Sequence, residues 1–148
     1  MLYISQIKQL RDETGAGPSD CKKALTEAKN DLERAKEILR KWGKELAGKK
    51  SAREAKIGIV DCYVHPNRRV GTMVKLLCET DFVAKSDDFK KLAHELCLQI
   101  AAMDPKEDYL LSQPWIKDET KTIKDLIEEY IAKMGENIEI KKFTRFEI

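Results

Sequence analysis

Cys62 and His65 have two residues between them, as do His94 and Cys97, a spacing at which thiolate and imidazole pairs hold zinc if two such pairs meet in space. The first pair falls in an alternating, strand-like run, where a three-residue offset points side chains to opposite faces. That placement speaks against a four-ligand site. Three of the four cysteines, Cys21, Cys62, Cys78 and Cys97, lie within apolar runs with no close cysteine pair, as expected of buried thiols in a reducing compartment. Neither His65 nor His94 has a serine or cysteine partner at a spacing diagnostic of a nucleophile and its base, so no enzymatic chemistry is expected, and no metal or cofactor. Gly15-Ala16-Gly17 ahead of a helix is the remaining candidate for chemistry, since glycine turns can cradle phosphate. It lacks both a preceding strand and a following Lys-Ser/Thr, and reads as a turn.

These residues must be positioned by a chain of 148 residues, enough for one small module joined to a domain of roughly 90 to 100 residues. Hydrophobic residues at 42% supply a core, and charged residues at 36% a heavily solvated surface. The net charge of +2, from 28 basic and 26 acidic residues, creates no field that would draw the chain onto phosphate backbones, and direct nucleic-acid binding is not expected. No run approaches the ~18 apolar residues of a membrane span, and Met1-Leu2-Tyr3-Ile4 passes into Ser5-Gln6 without a signal-peptide core. A cytoplasmic protein is expected, with no membrane partner.

Residues 1–43 read as three short helices. Ile4, Ile7 and Leu10 mark the first, and Gly15-Ala16-Gly17 ends it. Pro18 opens the second, whose apolar positions are Cys21, Ala24, Leu25 and Ala28. Asn30 with Glu33 resembles a capping box for the third, in which Leu32, Ala35, Ile38, Leu39 and Trp42 share a face and Gly43 supplies a stop. Residues 44–56 read as a charged, partly helical linker, a solvated connector rather than a nucleic-acid contact.

From residue 57 the period turns from helical to alternating. Ile57 to Val64 and Val70 to Cys78 are strand-like and joined by the turn chemistry of Pro66-Asn67-Arg68, which predicts an antiparallel hairpin. A helix follows from about Asp87, closed by Asp104-Pro105, with Phe89, Ala93, Leu96, Cys97, Ile100 and Ala101 on its buried side. The stretch from Lys106 to Lys121 reads as irregular. Thr122 and Asp125 form a capping pair before a helix that ends at Gly135, and Ile138 to Ile148 alternates as a half-buried strand able to join the hairpin. The expected fold class is α+β: an N-terminal three-helix module, then residues 57–148 as a three-stranded antiparallel sheet with helices. So small a domain leaves sheet edges and one sheet face partly uncovered, which predicts a homodimer.

Three segments go beyond a generic fold. Leu10 to Gly17 with Asp20-Cys21-Lys22-Lys23-Ala24-Leu25 closely resembles the N-terminal signature of the elongation factor Ts family. Cys78-Glu79-Thr80-Asp81-Phe82-Val83-Ala84 resembles its second signature, and Gly135-Glu136-Asn137-Ile138 running to Glu147 resembles its closing strand. The order is right and nearly the whole chain is spanned. Pro18-Ser19 stands where members often carry two methionines, and the stretch between Met103 and Gln113 is shorter than the family leads one to expect. The resemblance implies a ubiquitin-associated-like first module, elongation factor Tu as partner, and guanine-nucleotide exchange without covalent chemistry. It further implies partner-binding roles for Thr80, Asp81, Phe82, Val83 and Ala84, with Phe82 as a wedge, and for Gly15, Ala16, Gly17 and Lys22. From pattern alone Phe82 reads first as a core residue capping the hairpin and Lys22 as a solvated helix lysine; the resemblance reverses the first reading. A protein-docking adaptor without exchange activity is the alternative function.

Overall fold

The computed structural model describes residues 3–148, so the Met1-Leu2 start of the apolar tetrapeptide lies outside them. The elements in chain order are α1 (Tyr3–Thr14), α2 (Pro18–Glu27), α3 (Leu32–Lys50), β1 (Ile57–Val64), β2 (Val70–Cys78), α4 (Asp81–Ala84), α5 (Asp87–Met103), a short 3-10 turn (Leu110–Ser112), β3 (Pro114–Trp115), β4 (Asp118–Thr122), α6 (Ile123–Met134) and β5 (Glu139–Glu147). The α+β class is the expected one. Two compact units result, Met1–Leu46 and Ala47–Ile148, and the division falls inside the stretch expected as a linker.

In the first unit Leu10, Cys21, Ala24, Leu25, Ala28 and Ala35 form a small core, with Ile7, Leu32, Ile38, Leu39 and Trp42 packed around it. Ile4 is exposed and takes no part, contrary to its place in the apolar pattern. Gly15 carries φ +72°, the left-handed conformation that costs glycine least, and its N–H bonds the Arg11 carbonyl at 2.8 Å to close α1. Two other expectations fail. Asn30 does not cap α3: with Lys29 it is left-handed and closes α2, the Asn30 N–H reaching Leu25 O and the Lys29 N–H reaching Thr26 O, the paired bonds of a Schellman ending. Asp31 is the cap, its carboxylate accepting from Arg34 N at 3.2 Å. Nor does Gly43 stop α3, which runs on to Lys50. One glycine inside a helix costs about 1 kcal/mol against alanine, and the helix formers Lys44-Glu45-Leu46-Ala47 after it offset that.

The second unit is built on a sheet of order β1-β2-β5, both pairings antiparallel. Thr72, Val74, Leu76 and Cys78 of β2 face inward against α5, whose Phe89, Leu92, Ala93, Leu96, Cys97 and Ile100 are buried, and α6 adds Ile123, Leu126, Ile127 and Ile131. The Arg145 guanidinium on β5 donates to the Ala101 carbonyl at 3.2 and 3.1 Å, satisfying an acceptor that the last turn of α5 leaves open. The Thr122–Asp125 capping box and the Gly135 stop are present as expected. The stretch from Lys106 to Lys121 is more ordered than expected: β3 and β4 pair as a small hairpin, tied to α5 where buried Gln99 donates to Pro114 O at 3.0 Å and accepts from Ile116 N at 2.9 Å.

Gly58 pairs with Leu77, and a Cβ there would fall 1.9 Å from the Leu76 carbonyl oxygen. No flexible side chain can yield at that contact. Gly58→Ala is therefore expected to cost about 1–3 kcal/mol or more of stability, as overpacking does, read as a lowered urea midpoint; an unchanged midpoint would mean that the hairpin relaxes freely.

Candidate functional site

The segment after β2 changes direction over very few residues. Thr80 is extended (φ −131°) and caps α4, its hydroxyl accepting from Val83 N at 3.3 Å. Ser86 caps α5 in turn, accepting from Phe89 N at 3.2 Å while donating to the Val83 carbonyl at 2.6 Å. The single turn of α4 is thus held by a side-chain cap at each end. Val83 and Ala84 point into the core at 5% and 3% exposure, whereas Phe82 between these anchors and Asp81 is 87% exposed. Phe82 is not a core residue.

A polar brace holds this turn from across the unit. Glu136, in the loop after α6, accepts from Glu79 N at 3.1 Å, Thr80 N at 2.9 Å and the Thr80 hydroxyl at 2.7 Å. Glu79 reciprocates by accepting from Asn137 N at 2.8 Å, and the Asn137 amide donates to Arg53 O at 2.7 Å. Arg53 in turn lies 3.5 Å from the Glu79 carboxylate. The third family-like segment contained Glu136 and Asn137, but its sequence pattern signalled only a strand. Nothing local could show that these residues grip a turn 56 to 58 positions earlier.

The other four expected site residues belong to the first unit. Gly15 and Ala16 follow α1, and Ala16 packs on the small core while its carbonyl accepts from the Cys21 thiol at 3.6 Å. Gly17 is the cap position of α2, with open space around its Cα, and Lys22 is exposed on that helix. The residues thus fall into two groups, Gly15, Ala16, Gly17 and Lys22 in one unit and Thr80 to Ala84 in the other.

The zinc-like pairs separate. Cys62 is exposed and pairs across the sheet with Met73, while Cys97 is buried on α5. His65 is hydrogen-bonded to the Tyr63 hydroxyl at 2.8 Å, and His94 lies 4.0 Å from Asp61. Among the described residues no three His, Cys, Asp or Glu side chains are grouped so as to hold a metal ion, and no helix is long and apolar enough to cross a membrane.

Fold and site together define a two-unit α+β protein whose most exposed aromatic among the described residues sits on a turn hydrogen-bonded to Glu136. The family model described as Elongation factor TS matches residues 79–148. Elongation factor Ts of Thermotoga maritima is 44% identical over 99% of this chain and 96% of its own length. The corresponding figures are 40%, 99% and 95% for that of Thermoanaerobacter sp. (strain X514), and 40%, 99% and 98% for that of Herpetosiphon aurantiacus. The chain belongs to the elongation factor Ts family, which places it among the elongation factors of translation. The Thermoanaerobacter alignment spans 193 residues against the 148 present here, so that relative carries internal residues with no counterpart. In this chain the stretch between Met103 and Gln113 holds only a turn and the 3-10 segment.

Burial pushes the Cys21 and Cys78 thiols up, and pushes Cys97 up to about 12, with the Asp61 carboxylate adding to the effect. The folded state therefore holds protons that the unfolded chain releases, so this contribution to stability is complete below about pH 9 and is lost as pH rises toward 12. The unfolding midpoint is expected to fall over that window. At neutral pH a maleimide should label Cys62 alone, read as a single mass addition; rapid labelling of Cys97 in the folded protein would contradict its burial.

Proposed function

We propose that this protein is a guanine-nucleotide exchange factor for elongation factor Tu, promoting GDP release during translation elongation in the cytoplasm. The observation that carries the proposal is Phe82, 87% exposed on a turn whose neighbours are anchored in the core. An aromatic side chain held out to water on a rigid base contributes little to its own fold and is suited to enter a partner. GDP and its magnesium ion are held on such GTPases by backbone N–H groups of a phosphate loop, its lysine and an ordered metal shell. A factor that binds better when this cradle is distorted must weaken nucleotide affinity, and nucleotide must weaken the factor's affinity by the same free energy. No bond is made or broken in the protein. In this scheme Phe82 wedges into the nucleotide domain and Asp81 disturbs polar contacts near the magnesium site. The turn at Gly15, Ala16 and Gly17, with Lys22, docks the three-helix module on the same partner. Thr80 holds the wedge, and Val83 and Ala84, being buried, root it.

The protein is further proposed to act as a homodimer, joined through the outer face of the sheet. Cross-strand partners there run Val60–Lys75–Lys142, Cys62–Met73–Thr144 and Val64–Gly71–Phe146. Val60, Val64, Met73 and Phe146 are all exposed, so one corner of the face is apolar and unfilled. A two-fold axis through that corner lays it on its own copy and carries Lys75 and Lys142, like charges directly opposite each other, to the solvated rim.

With elongation factor Tu carrying fluorescent GDP and excess unlabelled GDP, catalytic amounts of this protein should accelerate loss of the label. Binding without acceleration would leave only a docking adaptor. Phe82→Ala should slow exchange at least several-fold while leaving the unfolding midpoint in place, whereas truncating a buried Phe costs about 3–5 kcal/mol. Light scattering after size exclusion should give twice 17.0 kDa, and a mass of 17.0 kDa at the highest loading would defeat the dimer alone.

A further inference from the structure

We infer that Glu136 is a positioning residue for exchange: its carboxylate, not the four-residue helix itself, fixes the direction in which Phe82 is presented. The inference rests on the proposed role of Phe82 as the distorting group. A helix of four residues makes too few internal hydrogen bonds to hold its own shape, because nucleating a helical turn is unfavourable without outside contacts. Outside support comes from Thr80, whose hydroxyl must present a lone pair to Val83 N. That hydroxyl can do so while donating its own O–H elsewhere, and Glu136 Oε2 accepts that hydrogen bond at 2.7 Å. The other carboxylate oxygen takes the two N–H groups, of Glu79 and Thr80, that β2 leaves behind where it ends. One side chain thus fixes the backbone entering the turn and the polarity of its cap. Reciprocal bonds from Glu79 to Asn137 N, and from Asn137 to Arg53 O, hold the loop that carries Glu136.

Rigidity matters here because a wedge on a soft base would itself bend when pressed into the partner. The partner would then still be bound, but less of it would be distorted. Loss of the brace should therefore lower the maximal exchange rate more than it raises the concentration of factor giving half of that rate.

The test uses the full chain with Glu136→Ala, Glu136→Gln and Phe82→Ala, assayed on elongation factor Tu loaded with fluorescent GDP. Glu136→Ala removes all three bonds and should reduce the maximal rate by roughly ten- to a hundredfold, up to the scale on which a misplacement of about 1 Å costs rate. Glu136→Gln keeps an oxygen for the two N–H groups and should recover part of that loss. Hydrogen exchange at the Thr80 and Val83 amides should quicken in Glu136→Ala while the α5 amides stay protected. Unchanged protection at Thr80 and Val83 would overturn the brace whatever the rates show. So would a maximal rate equal to that of the wild type, or a defect seen only as a raised half-saturating concentration. If Phe82→Ala exchanges normally while the amides respond, the role given to Phe82 has failed and the positioning role falls with it, although the brace itself stands.

Discussion

Phe89, Leu92, Ala93, Leu96, Cys97 and Ile100 leave water together when α5 lies along the inner face of β2, and the second unit is arranged around that burial. Each large side chain so covered contributes about 1.5–3 kcal/mol before chain entropy is counted. The contact also dictates the backbone. β2 places Thr72, Val74, Leu76 and Cys78 on one face by simple alternation, and of the opposite positions Met73 and Lys75 are left to solvent while Leu77 is buried. Since β2 and α5 are consecutive large elements packed on each other, the chain must reverse between Cys78 and Asp87. The exposed aromatic is carried on that reversal.

Placing a site at such a corner solves one problem and creates another. The corner is rooted at both ends in the most deeply buried elements of the unit, with Cys78 buried before it and Val83 and Ala84 buried after Phe82. But a bend this tight exposes backbone N–H groups that neither strand nor helix can satisfy. Thr80, Ser86 and Glu136 take up those donors and acceptors, with bonds of 2.6 to 3.3 Å. The caps are local to the bend. The carboxylate is not, and the turn therefore depends on α6 ending at Gly135 with the left-handed φ of +75° that directs the chain back toward β2.

What the sequence made legible follows the same division between local and distant causes. Alternation and turn chemistry placed β1 and β2 to the residue, and capping chemistry placed the start and end of α6, because each is decided by neighbours within a few positions. Gly43 misled because a glycine stop is weak when helix formers follow, and Asn30 because two left-handed residues in a row are set by how α2 ends rather than by how α3 begins. The β3–β4 hairpin was missed because Asp118 to Thr122 has no alternating apolar face; its order comes from Gln99, buried on another element. At the candidate site the motif was visible but the burial was not. Thr80-Asp81-Phe82-Val83-Ala84 reads alike whether Phe82 or Val83 turns inward, and only the caps on either side settle which does.

That ambiguity reflects a conflict between folding and the proposed function. Folding favours hiding a phenylalanine, and a sequence that alternated one residue differently would bury it. Here Val83 and Ala84 occupy the inward positions next to it, so turning Phe82 inward would displace two side chains already in the core and break the Thr80 cap. The exposure is therefore imposed by the packing of its neighbours rather than tolerated as a local accident. In the proposed exchange this has a thermodynamic consequence: the free energy of covering the ring is kept in reserve until a partner supplies the cover. It is released only in the complex, and through the coupling of the two binding equilibria it can be set against the nucleotide's hold on the GTPase. A ring that folded into its own core would have spent that free energy on stability and left none for the partner.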